Sequence, residues 1–297
     1  MITLEHVSKT FRRALVLDDL SLTLKRGDRI ALIGSNGAGK TTMIRCILGQ
    51  YVHQGKIEVN GLSPRTNREQ VLKTIGFVPQ IAPPLKMPVG ELMRFCAGTV
   101  GIDISKIEAI TKRLELDISE LENRPFVKLS GGQKQKILIA IAIARNPDLI
   151  IMDEPTANLD PQARKILFDL LSERGDLPVL ISSHRLEEVA GLVNRIIELD
   201  RGKVVLDDAV EDAVDESGDI SNRLACHITL SRADKAFANT IREWKFKTLD
   251  DGIAWTGEVS GADRLRFYGV LARYCGLIDG LKLGDQNGKA IIEARAK

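Results

Sequence analysis

Short apolar runs alternate with helical apolar spacing through the first two thirds of the chain. Ile2–Val7 and Leu20–Leu24 alternate or cluster apolar residues as strands do, and Arg29–Ile33 is a brief apolar run closed by Gly34. Thr41–Leu48 then switches to helical spacing, with Met43, Ile44, Ile47 and Leu48 on one side and Gly49 as its stop. Leu149–Met152 and Val179–Ile181 are further short apolar runs directly before polar motifs, the pattern of strands buried on both faces of a parallel sheet. Ile196–Leu199 and Val204–Leu206 flank Asp200–Lys203 and predict a hairpin. Together these segments predict an α/β domain.

Between Pro79 and Lys128 the pattern changes. Prolines gather at Pro83, Pro84 and Pro88, and helical spacing follows over Glu91–Ala97, Ser105–Leu114 and Ser119–Glu122, which predicts a helical insert. A polar, acidic passage from Asp207 to Asp219 reads as a connector. Beyond it, strand signals at Leu224–Leu230, Phe246–Leu249, Ile253–Val259 and Leu277–Leu283 interleave with helical stretches at Ala233–Trp244 and Ala262–Tyr274. That order, β-α-β-β-α-β, predicts a small α+β, ferredoxin-like module with Leu277–Leu283 as its last strand. The expected division is a first domain over residues 1–215, with its helical part at about 81–145, a linker over 216–223 and an accessory domain over 224–297.

Composition narrows the classes. The 297 residues suffice for two domains. A net charge of +2 and 4% aromatics give neither the basic surface nor the stacking platforms of a nucleic-acid binder. Cys46, Cys96, Cys226 and Cys275 are too scattered for a metal cluster and read as reduced thiols of a cytoplasmic protein. Met1–His6 lacks a signal-peptide layout, and the apolar run Ile137–Ala144 stops at Arg145, far short of the ~20 residues a membrane span needs. Any membrane role is therefore expected to come through a partner.

The chemistry begins at Gly34-Ser-Asn-Gly-Ala-Gly-Lys-Thr-Thr42, a Walker A string between a predicted strand and a predicted helix. Glycines at this spacing let the N–H groups of Gly37, Ala38, Gly39 and Lys40 curl around phosphates, while the helix N-terminus adds partial positive charge. Lys40 is placed to reach the β- and γ-phosphates and the Thr41 hydroxyl to ligate Mg²⁺. Leu149–Glu154 is an apolar strand ending in two carboxylates, with Asp153 on the metal side and Glu154 suited to polarise an attacking water. A glycine-rich turn with a chance Lys-Thr, or an exposed acidic pair ahead of Pro155, would explain either string alone. Leu129-Ser-Gly-Gly-Gln133 opens a helix, where Ser130 is a natural N-cap and the serine and glycines form a second anion site.

Ser130, Gly131, Gly132 and Gln133, standing between a Walker A and a Walker B strand, resemble the signature of the ATP-binding-cassette (ABC) family, and the resemblance spans about the first 210 residues. It implies a P-loop NTPase cassette with a helical signature subdomain. Gln80 in Phe77-Val-Pro-Gln80 matches the Q-loop glutamine, Asn158-Leu-Asp160 the D-loop, His184 in Ser182-Ser-His184 the switch histidine, and Phe11 the aromatic stacked on adenine. By this resemblance Lys40, Gln80, Glu154 and His184 are the catalytic set, and Thr41, Gln80 and Asp153 hold Mg²⁺. Phe11, residues 34–42, Ser130–Gln133 and Asp160 contact ATP.

The resemblance also implies a head-to-tail dimer, in which the Walker A loop of one subunit and the signature of the other enclose each ATP. A single cassette per chain predicts a homodimer or pairing with a related ABC subunit. Integral membrane permease subunits are the expected partners, placing the protein at the cytoplasmic face of the cell membrane, with no nucleic acid. Ser182–Val189 and the C-terminal module resemble ATPases of drug and sodium exporters whose partner is an ABC-2-like permease, although Asp285–Lys297 lacks their terminal helix motif. The competing reading is a soluble ABC ATPase acting on ribosomes or nucleic acid. Members of that kind carry two cassettes or long coiled coils, and this chain has neither.

Overall fold

The computed structural model describes residues 1–184, 189, 192–209, 223–260, 267, 270, 271, 274, 276–284 and 290–295. The chain divides into two compact units, Met1–Ala209 and Val210–Lys297.

The first unit contains two sheets. Strands β1 (Ile2–Phe11), β2 (Ala14–Leu24) and β4 (Gln54–Val59) form an antiparallel sheet in the order β2-β1-β4. The second sheet runs β5 (Ile75–Val78), β6 (Leu149–Asp153), β7 (Val179–Ser182), β3 (Arg29–Ile33), β8 (Arg195–Asp200) and β9 (Lys203–Ala209). Its first five strands are parallel and only β9 is antiparallel. Every residue of β6 and β7 is buried, which is why these strands read as unbroken apolar runs rather than alternating ones. Each large aliphatic side chain withdrawn from water in this way contributes about 1.5–3 kcal/mol. Because β3, β5, β6 and β7 are adjacent and parallel, the segments following them gather at one edge, where ligands of such sheets bind.

Helix α1 (Lys40–Ile47) leaves β3 and turns Met43, Ile44 and Ile47 into the core. Between β5 and β6 lies the insert, with α3 (Val89–Val100), α4 (Ile104–Arg113) and α5 (Gly131–Ala144). Helix α5 is apolar almost all round because it packs against α3, α4 and β5 together. The proline-rich segment ahead of α3 is extended. There Val127 and Phe126 donate backbone hydrogen bonds to Leu85 and Met87, and Val89 and Gly90 donate to Arg124 and Glu122. Fully buried Phe126 anchors this pairing just ahead of Ser130. Phe126→Ala is expected to destabilise the first unit by about 3–5 kcal/mol, read as a lower chemical-denaturation midpoint.

The second unit is a five-stranded antiparallel sheet ordered β11 (Lys247–Asp250), β12 (Ala254–Ser260), β10 (Arg223–Leu230), β13 (Ile278–Gly284), β14 (Ala290–Arg295). The order of the first four strands is the one a β-α-β-β-α-β chain forms. Helix α7 (Lys235–Glu243) contributes Phe237 and Ile241 to a core with Trp255, Phe267 and Ile228.

Several expectations need correction. Ser119–Glu122 forms turns rather than helix, its backbone tied by Leu121 N–H to Ile118 O and Arg124 N–H to Leu121 O. Leu277–Leu283 is not the last strand, since β14 pairs along it. Strands β4 and β5 and helices α2 (Arg68–Thr74) and α6 (Pro161–Ser172) are additional elements. Asp207–Ala209 of the expected connector belong to β9 instead, residues 210–219 of it and 216–222 of the expected linker lie outside the described residues, and so does most of the helix expected at 262–274. Cys275 lies outside them as well.

Candidate functional site

The loop between β3 and α1 is shaped by its glycines. Gly39 takes φ +111 at the N-cap of α1, and a Cβ there would lie 2.9 Å from both the Leu17 side chain and the Val16 carbonyl. Only glycine fits this turn. No side chain caps α1, so its first-turn N–H groups face the loop, with the positive end of the helix dipole behind them. Lys40 is 6% exposed and its Nζ donates to the carbonyls of Gly34 at 2.6 Å and Ser35 at 3.2 Å. These bonds keep the ammonium over the loop. A cavity of about 220 Å³ is lined by residues 36–42, Val16, Gln80 and Glu154. A larger hollow of about 600 Å³ between α3 and α4 contains none of the motif residues.

The carboxylates meet this loop from the neighbouring strand ends. Asp153, 3% exposed at the end of β6, accepts the Thr41 hydroxyl at 2.9 Å on Oδ2 and the Ser182 hydroxyl at 2.5 Å on Oδ1. Because Thr41 donates its only proton to Asp153, both lone pairs of its oxygen remain for a cation. Glu154 follows in the left-handed region at φ +48, uncommon for a residue with a Cβ. Its N–H donates to the Ser182 carbonyl at 3.2 Å and the Ser182 hydroxyl at 3.0 Å. Its carboxylate accepts from Gln80 Nε2 at 2.7 Å and lies 3.0 Å from His184 Nδ1. Gln80 and His184 are exposed, whereas the Glu154 side chain is 11% exposed. The hydroxyl, carboxylate and amide oxygens of Thr41, Asp153 and Gln80 form a hard donor set of the kind Mg²⁺ takes.

The structure thus brings together the loop, Thr41, Gln80, Asp153, Glu154 and His184. It sets the remaining sequence-predicted residues apart. Ser130 caps α5 in a reciprocal box, accepting from Gln133 N–H at 3.2 Å while Gln133 Oε1 accepts from Ser130 N–H at 3.0 Å. Accepting leaves the Ser130 proton free to donate elsewhere. Ser130 and Gly131 are exposed, and none of residues 130–133 lines the phosphate-loop cavity. Asp160 belongs to this second group. It caps α6 through Ala163 N–H at 2.8 Å, which holds its carboxyl below the usual carboxylate range, and it pairs with Lys136 of α5 at 3.4 Å. Phe11 stands apart from both groups at the end of β1. It is 37% exposed, edge-to-face with Tyr51 at 5.1 Å, with Lys9 Nζ 4.6 Å from its ring centre.

Sequence reasoning missed Ser182 and the Tyr51–Lys9 surroundings of Phe11. The sequence shows Ser182 only as a polar residue ending an apolar run; its pairing with Asp153 of the neighbouring strand comes from the fold.

The ABC transporter family model matches residues 17–157. The Nod factor export ATP-binding protein I of Rhizobium etli is 34% identical over 225 residues, covering 72% of this chain and 70% of that protein. The chain belongs to the ABC transporter family. Its ABC cassette is also similar to the Linearmycin resistance ATP-binding protein LnrL of Bacillus subtilis, at 30% identity over 82% of this chain and 79% of that protein. Among solved structures, the ATP-binding subunit of an ABC transporter matches with a TM-score of 0.65 and 27% identity, covering 72% of this chain and 92% of that one. A dimeric, post-hydrolysis ATP-binding cassette bound to ADP and Pi matches with a TM-score of 0.63 and 25% identity, over 71% of this chain and 99% of that one. This ABC chain is an ATP-binding and hydrolysing transport subunit, and these relatives give no support to the ribosome or nucleic-acid alternative. No helix among the described residues is long and apolar enough to cross a membrane.

Proposed function

We propose that the chain powers export through separate membrane permease subunits, as one half of a dimer in which ATP is held between two copies or between this chain and a related subunit. One observation carries the reading: the phosphate loop and the carboxylates form one cluster, while Ser130 and Gly131 are exposed at the start of α5 and none of residues 130–133 lines that cluster's cavity. A second anion site that its own loop cannot use is suited to another subunit's nucleotide. The names of the relatives, Nod factor export and linearmycin resistance, support export as the direction. This reading assigns residues 1–215 to the nucleotide-binding domain, with its helical part at about 81–145, and 224–297 to an accessory domain.

In this reading Lys40 and the N–H groups of residues 37–42 bind the β- and γ-phosphates. Thr41, Asp153 and Gln80 hold Mg²⁺, which when bound neutralises charge across those phosphates. Phe11 offers its ring face to adenine. Glu154 takes a proton from water as the water oxygen bonds to the γ-phosphorus and the bond to the β-phosphate oxygen breaks. Gln80 and His184 fix the two oxygens of Glu154 so that its basic lone pair has one direction. Ser130, Gly132 and Asp160 of the facing subunit close the cage. Loss of the γ-phosphate removes what bridges the two subunits, and the dimer opens.

Complementation tests the shared site. Lys40→Ala and Ser130→Arg chains should each be inactive alone. Mixed, they should regain ATPase activity, because a mixed dimer contains one intact loop facing one intact signature. A mixture as inactive as its components would place both halves within one chain. The permease partnership is checked by purification from detergent-solubilised membranes. An integral subunit is expected with the chain, and steady association with ribosomes or DNA in its place would overturn the transport reading.

A further inference from the structure

Ser182 is fully buried at the last position of β7, directly paired with Asp153 across the parallel ladder. Its hydroxyl has one proton to give and lone pairs to accept with, and it uses both kinds. The proton goes to Asp153 Oδ1 at 2.5 Å, and the oxygen accepts Glu154 N–H at 3.0 Å. The Ser182 carbonyl takes a second, longer share of that same N–H at 3.2 Å. One side chain therefore touches the metal-side carboxylate and the backbone of the base.

We propose that Ser182 is a positioning residue of the hydrolytic site, its hydroxyl locking Asp153 and Glu154 into one rigid unit. The inference rests on the roles proposed above for those two carboxylates. Both ends of the lock need it. A carboxylate turns easily about its last torsion, so Asp153 keeps one plane only while both oxygens are held, Oδ2 by Thr41 and Oδ1 by Ser182. Glu154 occupies an unfavourable backbone region at φ +48, which persists only where surrounding bonds determine it. Removing the hydroxyl leaves Glu154 N–H with the longer of its two bonds and Asp153 Oδ1 without its donor. A displacement of about 1 Å at a catalytic group can cost up to about 10²-fold in rate. Lys40 and the loop N–H groups, which bind the nucleotide's phosphates in this reading, make no hydrogen bond to Ser182.

The test compares Ser182→Ala and Ser182→Thr with the unmodified chain and with Glu154→Gln. For Ser182→Ala, kcat should fall about 10- to 50-fold while KM at saturating Mg²⁺ changes by less than about threefold. The Mg²⁺ concentration for half-maximal turnover should rise. Equilibrium binding of ATP should be unchanged in EDTA but gain less from added Mg²⁺. Ser182→Thr keeps the hydroxyl and should keep most of the turnover. Thermal unfolding separates this from a structural role. A kcat loss that only follows the loss of folded protein overturns the inference. So does Ser182→Ala turning over within about twofold of the unmodified chain with the same Mg²⁺ requirement, or a folded Ser182→Thr as slow as the alanine variant. If Glu154→Gln is inactive while Ser182→Ala is normal, this inference alone fails. If Glu154→Gln hydrolyses normally, the base assignment fails first and takes the inference with it.

Discussion

Glu154→Gln is expected to lower kcat for ATP by about two to four orders of magnitude, the usual contribution of a positioned general base. The substitution is nearly isosteric, which makes the result interpretable. A glutamine oxygen still accepts from Gln80 Nε2, now at 2.7 Å from Glu154 Oε2, and the amide N–H₂ can donate to His184 Nδ1, now 3.0 Å from Glu154 Oε1, when the imidazole carries its proton on Nε2 instead. The left-handed backbone remains pinned by Ser182. What disappears is the carboxylate proposed to take the water's proton. ATP binding should therefore survive, and with hydrolysis blocked the ATP-bound dimer should accumulate. Light scattering with and without ATP reads the dimer, and phosphate release reads the rate. A variant that stays monomeric with ATP and hydrolyses at the normal rate would remove Glu154 from the role of base.

The parts of this site that were legible in the sequence lie where polar residues interrupt apolar strands. Gly34 ends Arg29–Ile33 and Asp153-Glu154 ends Leu149–Met152, because a strand buried on both faces can change character only where it leaves the sheet. The parallel order β6-β7-β3 then forces those ends together. Short or mixed elements were harder to read. Strand β4 leaves Gln54, Gly55 and Lys56 exposed, so half of it has no apolar signal, and α2 buries only Val71. Ser119–Glu122 has helical spacing but forms no helix. Asp117 instead accepts from Ser119 N–H and Oγ, a local bond that competes with helix formation. Ser182 was missed for a related reason. Its meaning comes from the cross-strand pairing with Asp153, which no local pattern contains.

The second site was legible as a string but not in its dual use. Ser130 could be read either as an anion ligand or as a helix cap, and the structure shows the cap. The two uses are compatible, because capping engages the oxygen as acceptor and leaves the hydroxyl proton free to donate. Asp160 shows the same economy. As N-cap of α6 and partner of Lys136 on α5, it ties the segment after Glu154 to the signature helix. A change at the carboxylates thus has a short covalent path, residues 154–160, to the surface where the facing subunit is proposed to dock.

Gly132→Asp is expected to abolish hydrolysis as completely as Glu154→Gln while giving the opposite result for the dimer. A Cβ at Gly132 would stand 2.9 Å from the Asn158 carbonyl oxygen, and one at Gly131 would stand 3.2 Å from Asn158 Oδ1. The signature helix therefore starts against the 154–160 segment at a distance only glycine permits, and a larger residue at 132 must push one away from the other. The new carboxylate adds like charge where a γ-phosphate is proposed to bind, reversing the attraction of the helix N-terminus. Lys40, Thr41 and Asp153 lie outside the 154–160 segment, so the isolated subunit is expected to keep its affinity for ATP. It should remain monomeric under conditions in which Glu154→Gln dimerises. Gly132→Asp placed on a Glu154→Gln background decides between the two sites by light scattering. Loss of the trapped dimer with ATP binding intact puts the signature at the dimer contact, whereas a dimer that persists would mean that the two copies meet through some other surface.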